Sequence, residues 1–152
     1  MIIKWTGLVL SFSFFSLLGF YQSYKLSLRK RSVADVLVFL NRINTNIRYR
    51  TDDIFTLVDE CAEGSLVPLK NNTDYQQAVE ALPFHKDDKK LLKRFFANLG
   101  TTDIEGQLSH IELYTRLFDE QYRTAKSEIE KKSKLYKMSG LFSGLAFVVI
   151  LV

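Results

Sequence analysis

With 152 residues, the chain has room for one globular domain of ordinary size. Its net charge of +4 is modest, and the lone Cys61 excludes an internal disulfide framework and fits a reducing compartment. Placement is the unusual feature: all 17 acidic residues, and all 21 basic residues except Lys4, lie between Lys25 and Lys137. Three segments follow: an apolar stretch over 1–24, a charged domain over 25–137 and a second apolar stretch over 138–152. Charges of both signs nearly cancel in the middle segment, which argues against a nucleic-acid partner.

Trp5 to Tyr24 reads WTGLVLSFSFFSLLGFYQSY, 20 residues without a charge. As a helix rising about 1.5 Å per residue it covers roughly 30 Å, the thickness of a hydrocarbon core. Trp5 at one edge and Tyr21 and Tyr24 at the other stand where interfacial aromatics are enriched. The competing reading is a cleaved signal peptide. No small-x-small site follows the run, and Lys25, Arg29, Lys30 and Arg31 stand after it rather than before it, so an uncleaved transmembrane helix is expected.

Apolar residues then recur at helical spacing through Val33, Val36, Leu37, Leu40, Ile43 and Ile47, with Asp35, Asn41, Arg42 and Asn46 on the other side. Thr51-Asp52-Asp53 offers an N-cap and first-turn carboxylates for a second helix carrying Ile54, Leu57, Val58 and Cys61 and stopping at Gly64. Residues 65–72, with Pro68, read as a loop. Thr73-x-x-Gln76 is a capping box for a short helix closed by Pro83. The next helix runs from about Lys86 through Leu91, Leu92, Phe95 and Phe96 to Leu99, ended by Gly100. Thr102-x-x-Glu105 is a second capping box, opening the longest pattern: Ile104, Leu108, Ile111, Phe118, Tyr122, Ala125 and Ile129. That helix is expected to continue without a breaker into a second span over 138–152.

In this second apolar stretch Gly140 and Gly144 form a G-x-x-x-G pair, a spacing that lets membrane helices pack closely. Lys126, Lys131, Lys132, Lys134 and Lys137 lead up to it. With Lys25, Arg29, Lys30 and Arg31 they flank the charged domain on both sides, which by the positive-inside rule places that domain in the cytoplasm and both termini outside. Each near-surface charge gains on the order of 1 kcal/mol against anionic lipid. Nothing alternates with strand periodicity, so the domain is expected to be an all-α bundle with its first and last helices antiparallel.

The residues offer little chemistry. His85 and His110 lie on different predicted helices with no carboxylate or cysteine at ligand spacing, so no metal is expected. Asp52-Asp53 and Asp87-Asp88 are explained by helix dipoles. No glycine-rich phosphate loop precedes a helix, and Cys61 sits on an apolar stripe as a small core residue. No catalytic residue and no cofactor is expected; a scaffold or docking role remains.

Thr6-Gly7, Ile47-Arg48-Tyr49, Leu99-Gly100-x-x-Asp103-x-x-x-Gln107 and Lys134-Leu135-Tyr136-x-x-x-Gly140-x-x-x-Gly144-Leu145 occur in a particular order. That order resembles the stage III sporulation protein AB family of endospore-forming bacteria. The resemblance implies similarity to the inner-membrane platform F component of type II secretion and type IV pilus systems. It further implies a place in the channel complex joining mother cell and forespore, in the mother-cell membrane. A cytoplasmic AAA-like secretion ATPase of the same sporulation set is the implied partner, with other membrane channel components and further copies of the chain as additional ones. The resemblance marks Arg48, Tyr49, Leu99, Gly100, Asp103 and Gln107 as family positions, either setting a turn between helices or bordering a docking surface. Close relatives often have a Thr/Ser-Pro-Leu turn after Arg48-Tyr49, where this chain has Thr51-Asp52-Asp53-Ile54. The alternative is a membrane-tethered helical adaptor or assembly factor unrelated to secretion, separated from the first reading by whether neighbouring genes encode a secretion ATPase.

Overall fold

The computed structural model describes residues 2–49, 53–135, 138, 139 and 142, and among these it is helical without a strand. The chain divides into two compact units, Arg29–Arg123 and the pair Met1–Leu28 with Thr124–Val152.

The first helix, α1 (Ile2–Tyr49), enters the Arg29–Arg123 unit with the expected stripe facing inward. Val33, Val36, Leu40, Ile43 and Ile47 are buried and Leu37 is partly so. Phe39 is buried as well, off the predicted stripe, because α1 is covered on a second side where the Phe39 ring meets Phe95 at 6.5 Å and Phe96 at 6.3 Å. Helix α2 (Ile54–Cys61) is capped by Asp53, whose side chain accepts from Phe55 N at 3.2 Å, and buries Ile54, Leu57, Val58 and Cys61.

Gly64 does not stop α2, which ends at Cys61; it opens a 3₁₀ turn, Gly64–Leu69, where a loop was expected. Asp35 explains the turn. Its Oδ2 accepts from Ser65 N at 2.9 Å and Ser65 Oγ at 2.6 Å, while Gly64 holds φ +59°. A Cβ at Gly64 would lie 2.6 Å from that oxygen, so only glycine admits the contact. Leu66 and Leu69 of the turn complete the core.

Helix α3 (Tyr75–Ala81) is capped by Asp74 rather than Thr73: one carboxylate oxygen takes both Gln76 N (3.0 Å) and Gln77 N (3.1 Å). The Gln76 side chain, which a capping box would turn back, donates instead to Lys93 O at 2.9 Å. In α4 (Lys86–Ala97), Leu92, Phe95 and Phe96 are buried, with Leu99 just beyond it. For α5 (Ile104–Glu128) the cap is again the aspartate beside the expected threonine, Asp103 Oδ1 accepting from Gly106 N at 3.0 Å. Ile111 and Phe118 are buried, but Ile104, first in the predicted pattern, is 58% exposed.

Long-range pairs give the topology of this unit. Arg29 of α1 meets Asp88 of α4 and Gln121 of α5 at one end, and Arg48 meets Glu112 toward the other. Helices α1 and α4 therefore run the same way and α5 returns antiparallel, with α2, the 3₁₀ turn and α3 closing the remaining side of one core.

The other unit contains the first part of α1 and the end of α5. Ser23 and Ala125 are buried there. A π turn, Ile129–Ser133, interrupts the continuous helix expected after α5, and helix resumes at Lys134 and Leu135. Among the described residues no helix is long and apolar enough to cross a membrane. Within the first apolar run, side-chain surroundings are described only for Ser13, Leu17, Phe20, Tyr21, Ser23 and Tyr24. Most of the second expected span, including Gly140 and Gly144, lies outside the described residues.

Candidate functional site

Leu99, Gly100, Asp103 and Gln107, four of the six positions that the resemblance marks, gather around the turn between α4 and α5. After Ala97 the chain tightens, Leu99 N donating to Phe96 O at 3.3 Å and Thr101 Oγ1 to Asn98 O at 2.9 Å. Leu99 is buried. Gly100 holds φ +77°, and a Cβ there would meet Phe55 Cζ at 3.2 Å. The turn is thus pressed against the start of α2. Asp103 caps α5, and Gln107, in its first turn, sends Nε2 to Thr102 Oγ1 at 3.1 Å and to Thr102 O at 3.4 Å. Gln107 is only 4% exposed, and its Oε1 is buried without a hydrogen-bond partner among the described residues.

Arg48 and Tyr49 end α1. Arg48 Nη2 reaches Glu112 Oε1 of α5 at 3.2 Å, both side chains about half exposed, whereas Tyr49 is 84% exposed. Asp103 caps α5, Gln107 lies in its first turn and Arg48 of α1 meets Glu112 in its third, so three of the positions that the resemblance marks meet at the start of α5. Tyr49 points away from any contact of this kind.

A run of rings lies behind the turn, and the sequence reading missed it. Phe55 stacks with Tyr75 (6.0 Å) and Tyr75 with Phe96 (4.7 Å); Phe96 meets Phe95 edge-on at 5.2 Å. Phe95 in turn stacks on His110 at 5.3 Å, and His110 lies 4.7 Å from Tyr114. His110 Nε2 is also 3.0 Å from Phe95 O. The rings come from four helices, so no local spacing could have announced the run.

The basic residues expected at a membrane surface have several environments. Lys25, Arg31, Lys131, Lys132 and Lys134 are exposed, Lys132 being 3.2 Å from Glu128 one turn earlier. Lys30 is half-buried with its ammonium 5.7 Å above the Tyr122 ring. Lys137 lies outside the described residues. Arg29 is engaged within the fold: its Nε lies 3.1 Å from Oδ2 of Asp88, a carboxylate 1% exposed, and its Nη2 is 3.1 Å from Gln121 Oε1. Asp88 therefore anchors α1 to α4, beyond the dipole role its first-turn place suggested.

Cys61 is buried as expected, with Asn46 Nδ2 3.4 Å from Sγ, and burial pushes its thiol above the usual range. On the α3–α4 side, Glu80 takes Lys93 at 2.7 Å and Lys89 at 3.9 Å; the Lys93 contact holds its carboxyl below the usual range. His85 is exposed beside Asp87 at 3.5 Å. Among the described residues no three His, Cys, Asp or Glu side chains are grouped to hold a metal ion. Around the turn, the geometry offers packing, hydrogen bonding and charge display.

A family model described as stage III sporulation protein AB matches residues 72–152. The match takes in Leu99, Gly100, Asp103, Gln107, Gly140 and Gly144, while Thr6-Gly7 and Ile47-Arg48-Tyr49 lie outside it. No curated protein and no solved structure matches the chain. The matched segment is more than half of the sequence, and the chain belongs to the stage III sporulation protein AB family.

Proposed function

We propose that the chain is a non-enzymatic membrane platform of stage III sporulation. In this reading two transmembrane helices hold the helical domain on the cytoplasmic face of the mother-cell membrane, both termini outside. The domain docks a cytoplasmic secretion-type ATPase to the membrane components of the mother cell–forespore channel. The observation that carries the proposal is the family match over 72–152, which ties the α3–α5 half of the domain to sporulation. Charge placement supports the membrane part: two uncharged runs flank a segment holding all but one of the charged side chains. Leu17, Phe20, Tyr21 and Tyr24 are each more than half exposed, an apolar and aromatic surface suited to lipid and its interface.

Co-purification tests the docking role. The full chain, tagged and extracted in mild detergent, should retain the ATPase encoded with it through washing at moderate salt, and an unrelated two-span protein should not. Equal recovery from both baits would leave the chain as a tethered adaptor without this partner.

A further inference from the structure

Helix α4 carries five cations, and the fold treats them in two ways. Lys89 and Lys93 are partly covered and share Glu80 of α3, at 3.9 Å and 2.7 Å. Lys86, Lys90 and Arg94 are exposed and have no ion pair among the described residues. Asp87, the exposed acid of the same helix, is turned to His85 at 3.5 Å.

These three unpaired cations are successive i, i+4 positions. They form one row along α4, spaced about 6 Å apart and about 12 Å long. Such a row works against the helix: like charges at i, i+4 repel, and Lys86 sets a positive charge in the first turn, against the dipole. Glu80 offsets one of the two charges of the neighbouring pair, so one face of α4 has a compensating carboxylate, whereas none is ion-paired to this row among the described residues. Ala97, exposed and three residues beyond Arg94, continues the row without bulk.

We propose that the Lys86–Lys90–Arg94 face of α4 is a docking surface for an acidic helix of a protein partner. The partner's carboxylates, repeating every fourth residue, would match the row in spacing and sign, and desolvation at the contact would strengthen each pair. This inference rests on the docking role proposed above and gives that role a surface and a chemistry.

The full chain in bilayer discs of neutral lipid is titrated with a helical peptide bearing Glu at every fourth position, and separately with the secretion-type ATPase. Lys86→Glu/Lys90→Glu/Arg94→Glu should weaken the peptide by about tenfold or more, and Lys89→Ala/Lys93→Ala by less than about twofold. Wild-type binding should fall steeply with salt, and Lys90→Gln alone, a mild change in an exposed side chain, should lower that salt dependence. Circular dichroism of each variant checks that the fold is kept. If the ATPase binds wild type and triple variant equally, the docking role stands and this surface is overturned. If the ATPase does not bind at all while peptide binding depends on the row, the surface stands and the ATPase assignment fails. Peptide binding that ignores the triple change overturns the inference, as does a row that matters only for vesicles of anionic phospholipid.

Discussion

Arg29 and Asp88 allow a quantitative test of how α1 is held to the rest of the domain. Asp88 is 1% exposed and the Arg29 side chain 15%, with two contacts between them at 3.1 and 3.4 Å. Removing one partner of a buried pair costs about 3–5 kcal/mol, because the other charge is left desolvated. Arg29 keeps some access to water and a bond to Gln121, so Asp88→Ala should cost about 2–3 kcal/mol, including a few tenths for the lost first-turn carboxylate. In a domain of this size that is a fall in Tm of roughly 10–20 °C. Arg29→Met/Asp88→Leu, which removes both charges and fills the space, should lie within about 1 kcal/mol of wild type. The assay is urea unfolding of the 25–137 segment, followed by far-UV circular dichroism, for Asp88→Ala and for the cycle of Arg29→Met, Asp88→Leu and their double. Coupling of more than about 1 kcal/mol is the expected result. Additive single effects, or an Asp88→Ala cost below about 0.5 kcal/mol, would mean that Arg29 is a solvated surface charge after all.

Other residues give independent tests. The 25–137 segment should fold alone with a strongly helical circular dichroism spectrum; a substantial sheet signal would contradict the fold. Gly100→Ala forces an L residue to φ +77° and brings a methyl group against the Phe55 ring, which should cost about 1–2 kcal/mol in the same urea assay, and an unchanged midpoint would show that the turn has another conformation. The Cys61 thiol, buried and raised above its usual range, should react with a thiol reagent far more slowly in the native protein than in urea; equal rates would place it at the surface. Glu80 is held below its usual range by Lys93, so the pair is intact above the unfolded carboxylate value and fails as pH falls through the lower folded one. A carbon-13 NMR titration should show a depressed Glu80 midpoint that returns toward normal in Lys93→Met, and an unshifted midpoint in the parent would refute the contact.

The inward stripe of α1 and the buried positions of α2 and α4 were legible because burial on one side of a helix repeats at the helical period. Caps were legible only to within one residue. At both Thr73-Asp74 and Thr102-Asp103 the carboxylate took the N-cap position from the threonine beside it, each being an acceptable cap by residue type. A glycine after an apolar helical stripe reads as a helix stop, but the use of Gly64 depends on Asp35, 29 residues earlier in the chain, and that distant acceptor makes a 3₁₀ turn out of an expected loop. Phe39 and Asp88 were missed for the same reason: their partners, Phe95, Phe96 and Arg29, come from other helices. Around the candidate site, motif order drew notice to the residues near Gly100, whereas the ring run behind them depends on how four helices assemble.

Placement of the domain on the cytoplasmic side of a membrane is the claim on which the rest of the proposed function depends, and labelling from outside intact cells tests it directly. In a Cys61→Ala background, Ile2→Cys should react with a membrane-impermeant maleimide and Asn72→Cys, an exposed position of the helical domain, should react only after the cells are opened. Labelling of Asn72→Cys in intact cells, with Ile2→Cys protected, would contradict the account.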